Sequence, residues 1–245
     1  FDDCQALVKT AFLDEDLNEQ YMLSSANSIN IARLIPQSFY YVGAFGQLGA
    51  PNDIVFSVPS GNFGNMTAGL LAKRMGLPVK KFLAATNIND IVPEYLRSGK
   101  YSPKASRATI SNAMDVGAPS NFQRIEDLYD GDVEKVREDI QGFSYNDEET
   151  KETIVQVNRE HGYLLDPHGA VAYRALKEFQ DYEPCTGVIL ETAHPAKFLP
   201  VMEPLLGEIE VPSSLAKLRE KKKEATLLNT AFESFKEFLL SRDKG

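Results

Sequence analysis

The run from Asp53 to Asn65 constrains the fold more than any other part of the chain. An apolar stretch, Asp53 to Val58, leads into a loop rich in small residues, and helical spacing follows from Met66 to Met75. A second apolar stretch spans Lys81 to Thr86. A strand, a helix and another strand in this order predict a βαβ unit with parallel strands. We therefore expect an α/β protein with a parallel sheet flanked by helices.

The loop between the first strand and the helix has the composition of a phosphate-binding turn. Gly61 and Gly64 allow positive φ angles and a close approach of the backbone to a ligand. The N–H groups of a first helical turn have no intrahelical acceptor and attract anions. The same pattern is typical of an ordinary strand-to-helix turn, so the residues alone leave both interpretations open.

Composition and charge exclude several kinds of partner. The 245 residues carry a formal net charge of −9, and 43% of them are hydrophobic. This balance predicts a globular protein, and a negative surface repels nucleic acid and anionic membranes. No apolar run approaches the roughly 20 residues that span a bilayer, and no export signal is visible. The basic cluster at 217–223 alternates with Leu and Glu, which is typical of a solvated helix face.

The cysteines and histidines predict neither a disulfide framework nor a metal site. Cys4 and Cys185 are far apart, and His161, His168 and His194 are not at metal-ligand spacing. We therefore expect a cytoplasmic protein without a metal.

Further segments show clear periodicity. The stretch 125–152 is acidic and weakly apolar, and it predicts peripheral helices. A short strand from Thr186 to Leu190 ends in a polar cluster, Glu191 to Phe198. Ligands bind beyond the carboxyl ends of strands in open α/β sheets, so two polar loops should meet at one sheet edge. Helices are predicted at 3–12, 28–48 with a kink or split at Pro36, 147–161 and 170–179.

A series of short motifs, in order along nearly the whole chain, resembles threonine synthase, a pyridoxal-phosphate enzyme of the tryptophan-synthase-β fold type. The motifs are Phe1-Asp2-Asp3-Cys4-Gln5, Ser25-Ala26-Asn27-Ser28-Ile29-Asn30, Val58-Pro59-Ser60-Gly61-Asn62-Phe63-Gly64, Ala84-Ala85-Thr86-Asn87, Ser111-Asn112-Ala113-Met114-Asp115, Asp166-Pro167-His168-Gly169-Ala170-Val171-Ala172-Tyr173 and Thr192-Ala193-His194-Pro195-Ala196-Lys197-Phe198. The resemblance is to the C-terminal part of that family.

The resemblance implies a binding site for pyridoxal 5'-phosphate. Asn65 stands where relatives often have Asp, and we expect it to cap the helix. The hydroxyl of Thr192 is implied to meet the pyridine nitrogen, where a neutral group leaves the ring a weaker electron sink. Thr192 is also suited to cap a helix near Pro195. The residues implied to cradle the cofactor phosphate are Gly61, Asn62, Phe63, Gly64 and Asn65.

The segment that leads into the predicted helix at 28–48 is a candidate substrate site. Asn27, Ser28, Asn30 and Arg33 offer donors that suit a ligand with a carboxylate and a phosphate ester. Ser and Asn are also good caps at a helix start, so a structural role stays open.

The resemblance further implies conversion of O-phosphohomoserine and water to L-threonine and phosphate. The Schiff-base lysine of this family lies before the Phe-Asp-Asp-Cys-Gln motif, so we expect it upstream of Phe1, with no catalytic residue in this chain. The chain alone should then be inactive and need the N-terminal half of the same enzyme.

The same resemblance predicts a division into parts. Residues 1–50 would be a remnant of the smaller domain and a connecting helix, and 206–245 a C-terminal helical tail. Residues 51–205 would form most of the large cofactor-binding domain, with a helical insertion at 90–150. The alternatives are a non-catalytic threonine-synthase-like protein that binds phosphorylated ligands, another enzyme of the fold type, and a nucleotide-binding α/β domain.

Overall fold

A computed structural model describes residues 2–219, 221–222 and 224–242. The chain forms two compact units, one of Asn27–Glu210 and the other of Phe1–Ala26 with Val211–Gly245. The division into 1–50, 51–205 and 206–245 stays a prediction. Residues 220 and 223 of the basic cluster, and 243–245 of the tail, lie outside the described residues.

A parallel sheet forms the centre of the Asn27–Glu210 unit. The strands of the described residues are β1 (Ile54–Pro59), β2 (Lys81–Thr86), β3 (Ile140–Ser144) and β4 (Thr186–Ile189). Their order is β3-β2-β1-β4, and every neighbouring pair is parallel. The predicted α/β class with a parallel sheet is confirmed. The carboxyl ends of all these strands lie at one edge of the sheet.

Helices account for most of the remaining described structure. Those of the smaller unit are α1 (Asp2–Leu13), α2 (Glu15–Gln20), α11 (Ser213–Arg219) and α12 (Phe232–Arg242). Those of the sheet-containing unit are α3 (Leu34–Gln47), α4 (Gly64–Arg74), α5 (Ile91–Ser98), α6 (Phe122–Leu128), α7 (Val133–Asp139), α8 (Asp147–His161), α9 (Pro167–Gln180) and α10 (Leu199–Leu206). Short 3-10 helices span Ile31–Arg33, Asn112–Met114 and Pro195–Phe198. Within the described residues, no helix has the length and apolar character needed to span a membrane.

Apolar side chains cover both faces of the sheet. Alternate residues of a strand point to opposite faces. Phe56 of β1 and Phe82 of β2 belong to the core cluster that also contains Tyr41 of α3 and Met66 of α4. Val55, Leu83 and other residues of the opposite face pack with Val171 and Phe179 of α9. This double burial holds the loops at the carboxyl edge on a rigid base.

Two predictions about local structure are wrong. The stretch 125–152 is not purely helical, because Ile140–Ser144 forms β3 and pairs with β2. Residues 90–150 therefore contribute a strand to the sheet. Pro36 does not kink a helix, since α3 begins at Leu34 and Pro36 lies in its first turn. A proline is tolerated there because the missing N–H would have no intrahelical acceptor.

Candidate active site

The loop between β1 and α4 is held by the side chain of Asn62. Its Nδ2 donates to Ser28 Oγ at 2.8 Å, and its Oδ1 accepts from the backbone N–H of Ser120 at 2.7 Å and from Ser120 Oγ at 3.0 Å. Asn121 Nδ2 donates to the backbone carbonyl of Asn62 at 2.9 Å. The side chain of Asn62 therefore fixes the loop, which leaves its backbone N–H for other partners.

The glycines of this loop provide space rather than unusual φ angles. The left-handed residue is Phe63, with φ 59° and ψ 15°, and Gly61 and Gly64 do not use the positive φ that a glycine allows. A Cβ on Gly61 would lie 2.6 Å from the carbonyl oxygen of Ala113. A Cβ on Gly64 would lie 2.8 Å from Cβ of Ser28. Gly61 is therefore needed where two backbone segments come close together, and Gly64 where the loop packs against the side chain of Ser28.

The start of α4 presents unpaired backbone donors. No described residue accepts a hydrogen bond from the backbone N–H groups of Asn62, Phe63, Gly64 or Asn65. Phe63 is the N-cap residue and provides no side-chain cap. Free N–H groups at the positive end of a helix dipole form a binding site for an anion.

Asn65 does not cap α4 as predicted, because it lies inside the helix. Its Oδ1 and its backbone carbonyl both accept from the hydroxyl of Tyr41, at 2.9 Å and 2.8 Å. Tyr41 is fully buried, and this burial raises the pKa of its hydroxyl well above the usual value. Asn65 is thus held by a neutral donor from α3, a contact that the sequence does not reveal.

The candidate substrate residues lie in a short segment before α3. Asn27 Oδ1 accepts from the N–H and Oγ of Ser28, at 2.6 Å and 3.1 Å. Asn30 caps the 3-10 helix through a 3.0 Å bond from the N–H of Ala32 to its Oδ1. Asn30 therefore has the capping role that the sequence leaves open, and Asn27 holds Ser28 in the turn before it. They also shape the turn that carries Arg33.

Arg124 joins this segment to the loop, and sequence reasoning missed it. Its guanidinium donates to the carbonyl of Ile29 at 2.7 Å and to Asn121 Oδ1 at 2.6 Å. Asn121 in turn binds the backbone of Asn62. The substrate segment and the predicted phosphate loop are therefore connected by hydrogen bonds.

One cavity of about 590 Å³ brings together predicted site residues from separate parts of the sequence. Arg33, Asn65 and Thr192 all line it. The other lining residues are Gln37, Tyr40, Ala44, Val188, Ile189, Leu190 and Glu191. The remaining predicted residues, Asn27, Ser28, Asn30 and Gly61 to Gly64, are not part of its lining.

Thr192 lies in the polar loop after β4, and its side chain is exposed. The cap of the 3-10 helix Pro195–Phe198 is His194, whose Nδ1 accepts from the N–H of Ala196 at 3.1 Å. The alternative that Thr192 is this cap is therefore wrong. Among the described residues, the hydroxyl of Thr192 has no hydrogen-bond partner, so it is available to a ligand.

A buried histidine fixes the segment that packs on Gly61. His168 Nε2 accepts from the N–H of Ala113 at 3.2 Å, and its Nδ1 lies 2.6 Å from Asp166 Oδ1. These contacts place the ring proton on Nδ1, where it is donated to the carboxylate. The start of α9 thereby holds Ala113, whose backbone packs against Gly61 of the loop between β1 and α4. In the part of the chain that the structure describes, no group of three or more His, Cys, Asp or Glu could hold a metal ion.

Two family models match the sequence. The model described as pyridoxal-phosphate dependent enzyme matches residues 1–190, and the model described as threonine synthase, C-terminal, matches residues 169–239. The threonine synthase of Serratia marcescens is 49% identical over 243 residues, which cover 98% of this chain and 56% of that protein. The chain thus spans about half the length of the curated relatives it matches.

Solved structures give the same result. The crystal structure of threonine synthase from Escherichia coli matches with a TM-score of 0.92 and 47% identity, over 99% of this chain and 56% of that one. The structure of pyridoxal-phosphate-bound threonine synthase from Brucella melitensis matches with a TM-score of 0.86 and 35% identity, over 100% of this chain and 58% of that one. The chain belongs to the family of pyridoxal-phosphate-dependent enzymes, and within that family it resembles the C-terminal part of threonine synthases.

Proposed function

We propose that this chain is the part of a threonine synthase that holds the phosphate and the ring of pyridoxal 5'-phosphate. The whole enzyme would convert O-phosphohomoserine and water to L-threonine and phosphate. The observation that carries this proposal is the cavity that Arg33, Asn65 and Thr192 line together. The cavity brings together the guanidinium of Arg33, the first turn of α4 at Asn65 and the hydroxyl of Thr192.

The donors of the site fit the cofactor. The unpaired N–H groups of 62–65 at the start of α4 suit its phosphate. The free hydroxyl of Thr192 suits a neutral ring nitrogen, to which it can donate a hydrogen bond. When bound, pyridoxal phosphate acts as an electron sink for a carbanion at the substrate Cα. The residues proposed to hold it are Gly61, Asn62, Phe63, Gly64, Asn65 and Thr192.

Arg33 is the residue best suited to recognise the charge of the substrate. O-phosphohomoserine carries a carboxylate and a phosphate ester, and a guanidinium can bind either group through two parallel hydrogen bonds. Asn27, Ser28 and Asn30 precede it. The backbone N–H of Asn30 donates to the carbonyl of Asn27, and Ser28 bonds to Asn27 and to Asn62 of the loop. We assign these three the task of shaping the wall that carries Arg33.

The Schiff base with the cofactor needs a lysine, and we propose that this lysine is not among the residues of this chain. We propose that this lysine lies upstream of Phe1, as in the family that the chain resembles, and that the chain acts together with the N-terminal half of the same enzyme. The chain alone would then bind ligands without turning over substrate. A cytoplasmic location belongs to the same proposal, and the lack of a disulfide pattern favours it.

The test compares the full-length protein with the 245-residue chain. Each is incubated with pyridoxal phosphate and O-phosphohomoserine, and phosphate and threonine are both measured. We expect equal amounts of the two products from the full-length protein and none from the chain alone. Turnover by the chain at the full-length rate would contradict the proposed inactivity.

Variants of the full-length protein separate the two main interpretations. Arg33→Ala should raise the KM for O-phosphohomoserine, while Arg97→Ala, outside this cavity, should not. A full-length protein that binds pyridoxal phosphate and O-phosphohomoserine but forms no threonine would instead support the non-catalytic phospho-ligand-binding alternative.

A further inference from the structure

The fully buried carboxyl group of Asp166 meets the half-buried carboxyl group of Glu191, the residue before Thr192. Asp166 is fully buried and caps α9, and Glu191 immediately precedes Thr192 after β4. Glu191 Oε1 accepts from the backbone N–H of Asp166 at 3.0 Å. Asp166 Oδ1 accepts from the backbone N–H of His168 at 2.7 Å and from its Nδ1 at 2.6 Å. The second oxygen of each carboxyl, Asp166 Oδ2 and Glu191 Oε2, is buried without a donor in the described structure.

A proton held between the two carboxyl groups, which the 3.0 Å hydrogen bond from the backbone N–H of Asp166 to Glu191 Oε1 brings together, would supply the missing donor. The side chains of Asp166 and Glu191 are within hydrogen-bonding reach of each other. Ionised carboxylates only accept hydrogen bonds, and a buried acceptor without a donor is costly. We propose that Glu191 is a positioning residue for Thr192, held in place by a single proton that its carboxyl shares with Asp166. The link to the cofactor rests on the proposed function, whereas the shared proton does not.

Gly169 provides the space for this arrangement. A Cβ at position 169 would lie 2.0 Å from Glu191 Oε2 and 2.6 Å from its Cδ. Gly169 is in the first turns of α9, where glycine is otherwise less favourable than alanine. The glycine is therefore explained by the carboxyl of Glu191, which occupies the volume that a methyl group would take.

The proton lies on Glu191 rather than on Asp166. Burial, with the hydrogen bond to Asp166, raises the pKa of Glu191 from its ordinary 4.5 to about 8. Burial also raises the pKa of Asp166, but hydrogen bonds from His168 and Glu191 outweigh burial and hold this pKa below its usual value. Near neutral pH the pair therefore carries one negative charge, on Asp166.

Other titratable or charged groups surround the pair. Tyr163 lies near both carboxyls, and burial followed by their negative charges raises its pKa. Arg33 and Tyr40 line the same cavity as Glu191. A neutral Glu191 adds no negative charge to a wall that faces a proposed anionic ligand, and loss of its proton would both repel Asp166 and disfavour that ligand.

The direction of the pH effect follows from linkage. A carboxyl with a raised pKa in the folded state binds its proton more tightly there than in the unfolded chain. Its contribution to stability is complete below about pH 4.5 and is lost as the pH rises toward about 8. Thr192 should be displaced over the upper part of the same range.

The first test uses the full-length protein and its Glu191→Gln variant. The glutamine amide can still donate to Asp166 but cannot titrate. In the unsubstituted protein we expect the infrared carbonyl band of a protonated carboxyl at neutral pH, lost as the pH rises past about 8. The variant should lack this band and show a flatter fall of Tm with pH. An identical band and an identical pH profile in both proteins would overturn the proposal.

The second test measures whether Gly169 and Glu191 are coupled. Gly169→Ala should lower Tm by about 5 °C, since overpacking costs a buried site stability. Glu191→Gly alone should also lower Tm, and the double variant should lose less than the sum of the two, because both substitutions disrupt the same contact. Gly43→Ala, a helical glycine with no atom within 4 Å of its added Cβ, is the control. Additive effects of the two substitutions would overturn the proposal.

The link to Thr192 has its own readout. We expect Gly169→Ala, which displaces the carboxyl of Glu191, and Glu191→Gly, which removes it, each to weaken the binding of pyridoxal phosphate by about tenfold, whereas Glu191→Gln should bind it normally. Unchanged binding in Gly169→Ala would overturn the positioning role. If the unsubstituted protein bound no pyridoxal phosphate, the proposed function would fail, while the infrared and Tm measurements would still decide the shared proton.

Discussion

The hydroxyl of Tyr41 binds both the backbone carbonyl and the side-chain Oδ1 of Asn65, at 2.8 Å and 2.9 Å. Tyr41 comes from α3, and its ring packs edge-on against Phe56 at 4.8 Å between ring centroids. Asn65 comes from the first turn of α4 and lines the cavity, as do Gln37 and Tyr40 of α3. This one contact therefore sets the distance between two walls of the candidate site.

Removing that hydroxyl should destabilise the protein. Tyr41→Phe leaves two acceptors of Asn65 without their donor, and the expected loss is about 1–2 kcal/mol of unfolding free energy. Urea denaturation measures it. Tyr40→Phe is the matched control, because Tyr40 is 65% exposed and should change stability by less than about 0.5 kcal/mol. Equal stabilities for the two variants would contradict this account of Tyr41.

The packing of α4 on Tyr41 predicts opposite effects for two glycine substitutions. A Cβ on Gly69 would lie 2.6 Å from Tyr41 Cζ and 2.7 Å from Phe82 Cε1, so Gly69→Ala should cost about 1–3 kcal/mol. Gly43→Ala meets nothing and should stabilise its helix by about 0.5–1 kcal/mol. Thermal or urea unfolding of both variants checks the signs, and two changes of the same sign would refute the packing.

The close approach at Gly61 should matter for ligand binding. Gly61→Ala pushes the loop against the backbone of Ala113 and Met114, which cannot move as a side chain can. We expect the full-length protein to bind pyridoxal phosphate about tenfold more weakly, a change of about 1.4 kcal/mol. Titration calorimetry measures the affinity. Gly46→Ala, which meets no atom within 4 Å, should bind normally, and normal binding by Gly61→Ala would rule out the predicted role of the loop.

Two threonines near the ends of β4 should separate ligand binding from stability. Thr192→Val removes a hydroxyl with no described partner, so it should leave Tm unchanged but alter the absorption spectrum of bound pyridoxal phosphate. Thr186→Val removes a 2.8 Å bond to Asp53 Oδ1, so it should lower Tm and leave the spectrum unchanged. Spectra and melting curves of both variants decide this, and an unaltered spectrum in Thr192→Val would count against its contact with the ring.

Local signals explain why most of the sheet and some helices were predictable. Helix α8 has the bounds that its periodicity predicts, Asp147–His161, and local caps reinforce them: Asn146 and Glu149 form a capping box, and Gly162 ends the helix with φ 64°. Strand β3 was missed because Ile140–Ser144 contains a glycine and lies among acidic residues. It forms through its pairing with β2, about 60 residues away in sequence, which no local pattern reveals.

The same distinction applies to the candidate site. The loop from Gly61 to Asn65 and the position of Thr192 follow from strand ends and recognised motifs. The left-handed φ of Phe63 does not, because it is imposed on a residue whose side chain is buried in the core. The contact of Asp166 with Glu191 depends on tertiary packing across 25 residues and on a shared proton, so no spacing rule could have found it.

The most direct test of the central claim is a crystal structure of the full-length protein with pyridoxal phosphate. We expect the cofactor phosphate within about 3.2 Å of the backbone N–H groups of 62–65 and the ring nitrogen at the hydroxyl of Thr192. Another described cavity, of about 480 Å³, contains Arg97 and Arg137. A cofactor phosphate bound there, or anywhere away from the start of α4, would contradict the account.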